Sequence, residues 1–221
     1  MNDLLERIAT CIVRGKVEVN SPYPPDMHGR DGASELTREA LRKGIPADRV
    51  LSDALVRGMQ IIGERFSAGE AFIPDLLMSA KAMNAAMAHL EPFFQSGQVR
   101  HKGVFVVGTV AGDLHDIGKN LVAMVVKGGG WEVVDLGVDV PPEKFLKAVE
   151  EHPGCAVGLS ALLTTTMPSM ARIVREIKAK QPGTRIIIGG APITKEYAEK
   201  IGADAYAPDP QGAVKYLNMA A

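Results

Sequence analysis

Val104-Phe105-Val106-Val107, followed by Gly112-Asp113-Leu114-His115-Asp116-Ile117-Gly118-Lys119-Asn120, is the stretch that decides how this chain is read. The consecutive apolar residues read as a buried strand, and the pattern from Leu121 onward reads as a helix. A single histidine therefore sits on a strand-to-helix loop, with Asp113 just before it and Gly118 just after. In an open parallel sheet, the loops at the carboxyl ends of the strands are where ligands bind. His115 can offer one ring nitrogen to a metal while Asp113 accepts the proton of the other, the usual arrangement behind a metal-bound imidazole. Gly118 lets the first helical turn pass close to a bulky ligand. These residues read as a single-histidine anchor for a cofactor that brings its own metal.

Working outward, the second half of the chain alternates strands and helices. Strands are expected at 104–108, 131–136, 155–160, 185–189 and 204–207, with helices at 117–127, 143–150, 167–180, 195–201 and 211–219. Such alternation implies parallel strands joined by right-handed crossovers. The fold class is α/β: a flavodoxin-like, Rossmann-type doubly wound parallel sheet of about five strands. The first half has helix periodicity instead. A short amphipathic helix covers Asp3 to Val13, and Ser21-Pro22-Tyr23-Pro24-Pro25-Asp26 is a breaker. Ser34 can cap a helix that Gly44 ends, and Pro46 opens a longer one with Leu51, Leu55, Met59, Ile62 and Phe66 on one face. After Gly69, Pro74 starts another. About four helices of this size make a small bundle. The expected domains are therefore a four-helix bundle over 1–97 and an α/β domain over 98–221.

Lys and Arg total 25 against 26 Asp and Glu, a net charge of −1. That balance gives no electrostatic case for nucleic acid or an acidic membrane surface. No apolar run is long enough to span a bilayer, and charges interrupt Met1 to Lys16 where a signal peptide would be apolar, so the expected compartment is the cytoplasm. The two cysteines, Cys11 and Cys155, lie far apart and out of metal-ligand spacing, as expected of small buried hydrophobes.

If the strands are parallel, three segments converge on one edge: Asp113 to His115, Ser160-Ala161-Leu162-Leu163-Thr164-Thr165-Thr166, and Gly189-Gly190-Ala191-Pro192. Each also has a plain structural reading. The histidine loop can be a capping turn, Thr166 can cap the helix from Met167, and a Gly-Gly pair after a strand can be only a turn. Their conjunction on one edge favours a ligand. No Gly-x-Gly-x-x-Gly follows the first strand, which disfavours a dinucleotide.

Asp113-x-His115-x-x-Gly118, Ser160-x-Leu162 and Gly189-Gly190 resemble the cobalamin-binding module of cobalamin-dependent methionine synthase and of corrinoid methyl-carrier proteins in one-carbon methyltransferase systems. Gly63-Glu64-Arg65-Phe66 and Phe72-Ile73-Pro74-Asp75 resemble that family's helical cap. The resemblance implies cobalamin bound base-off, with His115 as lower axial ligand of cobalt and Asp113 and Thr166 completing a proton relay. It implies contacts from Gly112, Leu114, Asp116, Ile117 and Gly118, a nucleotide tail along Ser160, Leu162, Thr164, Gly189, Gly190 and Ala191, and an upper face covered by Phe66, Ile73 and Leu76. It further implies a carrier that cycles between cob(I)alamin and methylcobalamin. A substrate:corrinoid methyltransferase would load it, a methylcorrinoid:folate or methylcorrinoid:thiol methyltransferase would unload it, and a reductive activase is a third expected partner. The alternatives are the cobalamin subunit of an adenosylcobalamin mutase and a cobalamin-dependent sensor. The helical first half argues against the former and the absence of a basic stripe against the latter.

Overall fold

The computed structural model describes residues 2–219. It divides into two compact units, Met1–His101 together with Gly128–Gly130, and Lys102–Lys127 together with Trp131–Ala221.

The first unit is helical. Helix α1 (Asn2–Arg14) packs on α2 (Ala33–Arg42), α4 (Arg57–Ser67) and α5 (Ile73–Met87). It buries Leu4, Leu5, Ile8, Cys11 and Ile12, the stripe expected of an amphipathic helix. The long helix expected after Pro46 is present, but with a wide turn in its middle. Helix α3 (Ala47–Val50) passes into one π-helical segment, Leu51–Val56, before α4. Leu51, Leu55, Met59 and Ile62 are buried along it. A short α6 (Glu91–Gln95) closes the unit.

Two of the expected caps differ. Gly32, not Ser34, precedes α2, and the Glu35 carboxylate accepts the Gly32 N–H at 2.9 Å. Ser34 Oγ instead meets His89 Nε2 at 2.9 Å. Asp75 does the same for α5, accepting the Phe72 N–H at 2.8 Å, so a carboxylate three positions into each helix satisfies the free amide. The breaker segment is anchored by a residue the periodicity did not single out. Lys16 is fully buried and donates to the carbonyls of Val19 (3.3 Å) and Ser21 (3.0 Å), which pins the start of the connection to the end of α1.

The second unit is a five-stranded parallel sheet in the order β2-β1-β3-β4-β5. The strands are β1 (Val104–Thr109), β2 (Glu132–Asp135), β3 (Ala156–Ser160), β4 (Arg185–Gly189) and β5 (Ala205–Tyr206). The connecting helices are α7 (Ile117–Gly128), α8 (Pro142–Glu151), α9 (Met167–Lys180) and α10 (Lys195–Ile201), with α11 (Pro210–Met219) last. This is the flavodoxin-like order expected, with the reversal of winding between β1 and β3.

One face of the sheet is a filled core. Val106, Val157, Leu159, Ile186 and Ile188 pack on Phe145 and Val149 of α8 and on Met170, Ile173 and Ile177 of α9. The opposite face is formed by the alternate residues, as the pleat requires. The register aligns Val107 with Gly158 and Gly158 with Ile187, then Thr109 with Ser160 and Ser160 with Gly189. Small residues in the central strands leave this face open toward its carboxyl end.

Both cysteines are buried and free, and burial pushes the Cys11 thiol up to about 11 and Cys155 upward as well. Among the described residues no helix is long and apolar enough to cross a membrane.

Candidate functional site

The loop after β1 is organised around Asp113, which has no solvent exposure. Oδ1 accepts the His115 amide at 3.1 Å and lies 2.7 Å from His115 Nδ1. Oδ2 accepts the amides of Leu162 (2.7 Å) and Leu163 (3.2 Å), in the loop after β3, and the Thr166 hydroxyl at 2.9 Å. Burial alone would raise this carboxyl. The Leu162 amide, the His115 ring and amide and the Thr166 hydroxyl outweigh it and hold the group well below the usual carboxylate range. Asp113 is therefore ionised at neutral pH and takes its proton contact from His115 Nδ1. In the neutral ring that fixes the tautomer: Nδ1 carries hydrogen and Nε2 carries the lone pair.

His115 itself is half exposed, its side chain 51% accessible beside a carboxylate at 0%. An imidazole held from behind and open in front is the geometry of a metal ligand. Among the described residues no three His, Cys, Asp or Glu side chains converge as a metal nest.

Thr166 is nearly buried, and its single hydroxyl proton is shared between Asp113 Oδ2 and the Leu163 carbonyl at 2.8 Å. It makes no side-chain cap for α9, so the capping reading of this residue is replaced by a bond to Asp113. Thr166→Val keeps the shape and removes that donor. It is expected to destabilise the fold by about 1–2 kcal/mol in urea unfolding, whereas Thr166→Ser retains most of the stability. Equal losses in both variants would mean that packing of the methyl, not the hydroxyl, is what matters.

Three residues that the motif reading did not single out complete the loop. Thr109, fully buried at the end of β1, donates to the His115 carbonyl at 2.8 Å. Asp139, in the loop after β2 and at a φ of +51°, accepts the Gly112 amide at 2.7 Å and returns its own N–H to the Asp113 carbonyl at 3.0 Å. Lys119, buried in the first turn of α7, bonds Asp135 Oδ2 at 2.5 Å and ties the helix to the end of β2. A signal for Asp139 was available, since the loop after β2 opens on the same edge as the others. Lys119 follows the glycine of the motif directly.

Beside His115 lies a cavity of about 690 Å³. Of the expected contact residues, Leu114, His115, Asp116, Ile117 and Gly118 line it from the first loop, Ser160 and Leu162 from the second, and Gly189, Gly190 and Ala191 from the third. Asp113 and Thr166 stand behind His115. Gly112 and Thr164 are outside the lining, the former engaged with Asp139. Gly190 is required by the chain itself: its φ is +134°, and a Cβ there would lie 1.8 Å from the Ala161 carbonyl oxygen. Gly118 is different, because a Cβ there would meet no protein atom within 4 Å.

In the helical unit, Phe66 is half-buried and Ile73 is 42% exposed, but Leu76 is completely buried. Leu76 is therefore a bundle-core residue, and the exposed apolar corner there is made by Phe72, Ile73 and Leu77. The helix turns Leu77, one position on, outward in its place.

Comparison with known proteins bears on both units. Two family profiles described as B12 binding domain match the chain, one over residues 103–215 and one over 28–91. A corrinoid protein of Desulfitobacterium hafniense is 36% identical over 197 residues, covering 85% of this chain and 91% of its own length. The trimethylamine corrinoid protein of Methanosarcina barkeri is 37% identical over 192 residues, covering 85% and 88%. Among solved structures, the methanol:cobalamin methyltransferase complex of Methanosarcina barkeri aligns with a TM-score of 0.81 at 27% identity, over 99% of this chain and 79% of that one. A cobalamin-binding protein from Desulfitobacterium hafniense aligns with a TM-score of 0.77 at 30% identity, over 97% of both chains.

Proposed function

We propose that this chain, which belongs to the B12-binding corrinoid proteins of methyltransferase systems, holds its cofactor base-off through His115 and carries a methyl group between two partner methyltransferases. The observation that carries this reading is the Asp113–His115 pair at the cavity: Asp113 engages Nδ1 of a half-exposed ring and leaves Nε2 for one metal coordination position. Gly118 supports it. Packing does not demand the missing side chain, and its absence leaves room at the cavity wall for a bulky ligand.

The bound corrinoid supplies a cobalt centre that accepts a methyl group and gives it up. The chain's residues tune the ligand beneath it. Asp113 holds the proton on Nδ1 and fixes the orientation of the ring. Thr166, with the Leu162 and Leu163 amides, holds Asp113 in place and ionised. A proton reaching Nε2 competes with metal ligation, so the network sets how readily His115 binds and lets go.

A substrate:corrinoid methyltransferase is the first partner we assign, supported by the likeness to the methanol:cobalamin methyltransferase complex. The second is a methylcorrinoid:folate or methylcorrinoid:thiol methyltransferase, with a reductive activase restoring oxidised cofactor. On this reading the cavity takes the cofactor, and the methyl donor is chosen by the first partner enzyme.

The test is to load the protein with methylcobalamin, desalt it and record the visible spectrum. A red protein that retains cobalt supports the reading, and a colourless one refutes it. Glycine variants separate ligand space from backbone need. Gly118→Ala is expected to leave stability within about 1 kcal/mol and to lower cobalt retention. Gly190→Ala is expected to cost about 3 kcal/mol or more in urea unfolding, because its Cβ strikes backbone. Full retention in Gly118→Ala would remove that glycine from the binding surface.

A further inference from the structure

The walls of the cavity are chemically sorted. The side chains that can form hydrogen bonds, among them His115, Asp116, Ser160 and Asp209, all sit at the carboxyl edge of the sheet or in the first turn of a following helix. The floor is different. Phe105 and Val107 of β1, Gly158 of β3 and Ile187 of β4 form its sheet side, with Leu121 of α7 and Ala213 of α11 closing it. The register places Val107, Gly158 and Ile187 in one row across three strands. Gly158 is overlain by Phe105, whose Cζ would lie 2.3 Å from an added Cβ. None of these floor side chains carries a polar atom. Their backbone groups are committed to the parallel ladder and the helices.

Resting on the assignment of this cavity to the cofactor's nucleotide tail, we infer that the floor selects among corrinoids by the edge of their lower base, accepting benzimidazole-type bases and disfavouring purine ones. The two classes share the imidazole ring. They differ in the fused six-membered ring, which is carbon with apolar substituents in 5,6-dimethylbenzimidazole but carries ring nitrogens and an amino group in adenine. Burying those groups against Phe105, Val107 and Ile187 strips their water and returns no partner, the situation in which an unpaired polar group costs most. An apolar floor does little to reject extra methyl groups, provided there is room.

The experiment uses three corrinoids with the intact protein: cobalamin, its adeninyl analogue, and cobinamide, which has no nucleotide. Binding is measured by ultrafiltration, with the free corrinoid read by its visible absorbance. Cobalamin is expected to bind at least tenfold more tightly than the adeninyl analogue, about 1.4 kcal/mol. Ala213→Phe, which fills the floor, is expected to bring cobalamin down to the affinity of cobinamide and to leave cobinamide unchanged, with folding checked by circular dichroism. Equal or tighter binding of the adeninyl analogue overturns the inference and leaves the carrier reading intact. Equal binding of all three corrinoids shows that the cavity does not take the tail and overturns it as well. Failure of all three to bind removes the functional reading together with the inference.

Discussion

His115→Ala should leave a folded protein that no longer gives the visible spectrum of a histidine-ligated corrinoid. The side chain is half exposed and its loss opens no cavity in a core, so the stability cost is expected to be about 1–2 kcal/mol, from the bond lost to buried Asp113. Removing the Nε2 donor of a cavity-lining histidine should lower the cobalt retained after desalting by about tenfold or more. Free imidazole added to the variant should restore part of the ligated band, because it supplies the missing donor to a cavity that is otherwise intact. A spectrum unchanged from that of the wild-type protein would exclude His115 as the axial ligand.

Asp113→Asn should have the larger effect on the fold. The carboxylate collects five donors on two oxygens: two from His115 and one each from Leu162, Leu163 and Thr166. An amide of the same shape offers one acceptor oxygen and turns an NH₂ toward donors on the other side. Leaving buried donors unpaired is expected to cost about 3 kcal/mol at neutral pH.

The pH dependence follows from the direction of the shift. The folded carboxyl sits below its ordinary value, so its contribution is complete above the unfolded value of about 3.9 and is lost as the pH falls toward the folded one. The part of the stability gap between wild-type and Asp113→Asn that the carboxylate's own charge carries should therefore be complete by about pH 5 and narrow below about 4. A gap that stays constant through acid pH would mean that the charge of Asp113 contributes nothing to the fold. Both variants report on the same loop, but one reads ligation and the other the hydrogen bonds that prepare it.

Much of this loop could be read without coordinates. The run Val104 to Val107 and the glycine-punctuated stretch after it placed His115 on a strand-to-helix loop, and α9, α10 and β4 have the limits that periodicity and breakers assign. The departures have local causes. Carboxylates inside the first turn, Glu35 and Asp75, satisfied helix amides in place of the expected serine or of proline alone. Leu76 and Leu77 are adjacent apolar residues on one helix, and composition cannot say which of them the bundle buries. Thr166 stands where a helix cap is expected, yet bonds to a carboxylate 53 positions away.

By itself, the order of residues determined the alternation of strands and helices, the parallel sheet, and the gathering of three loops on one edge with a histidine at its centre. These follow from apolar periods and turn residues that act over a few positions. Tertiary structure alone decided that Asp113 is buried under amides from Leu162 and Leu163, that Gly190 is needed by the chain and Gly118 is not, and that the cavity has a polar mouth and an apolar floor. Each of these depends on which strand lies beside which and in what register. Pairing β1 with β3 brings together groups that neighbouring residues along the chain do not specify.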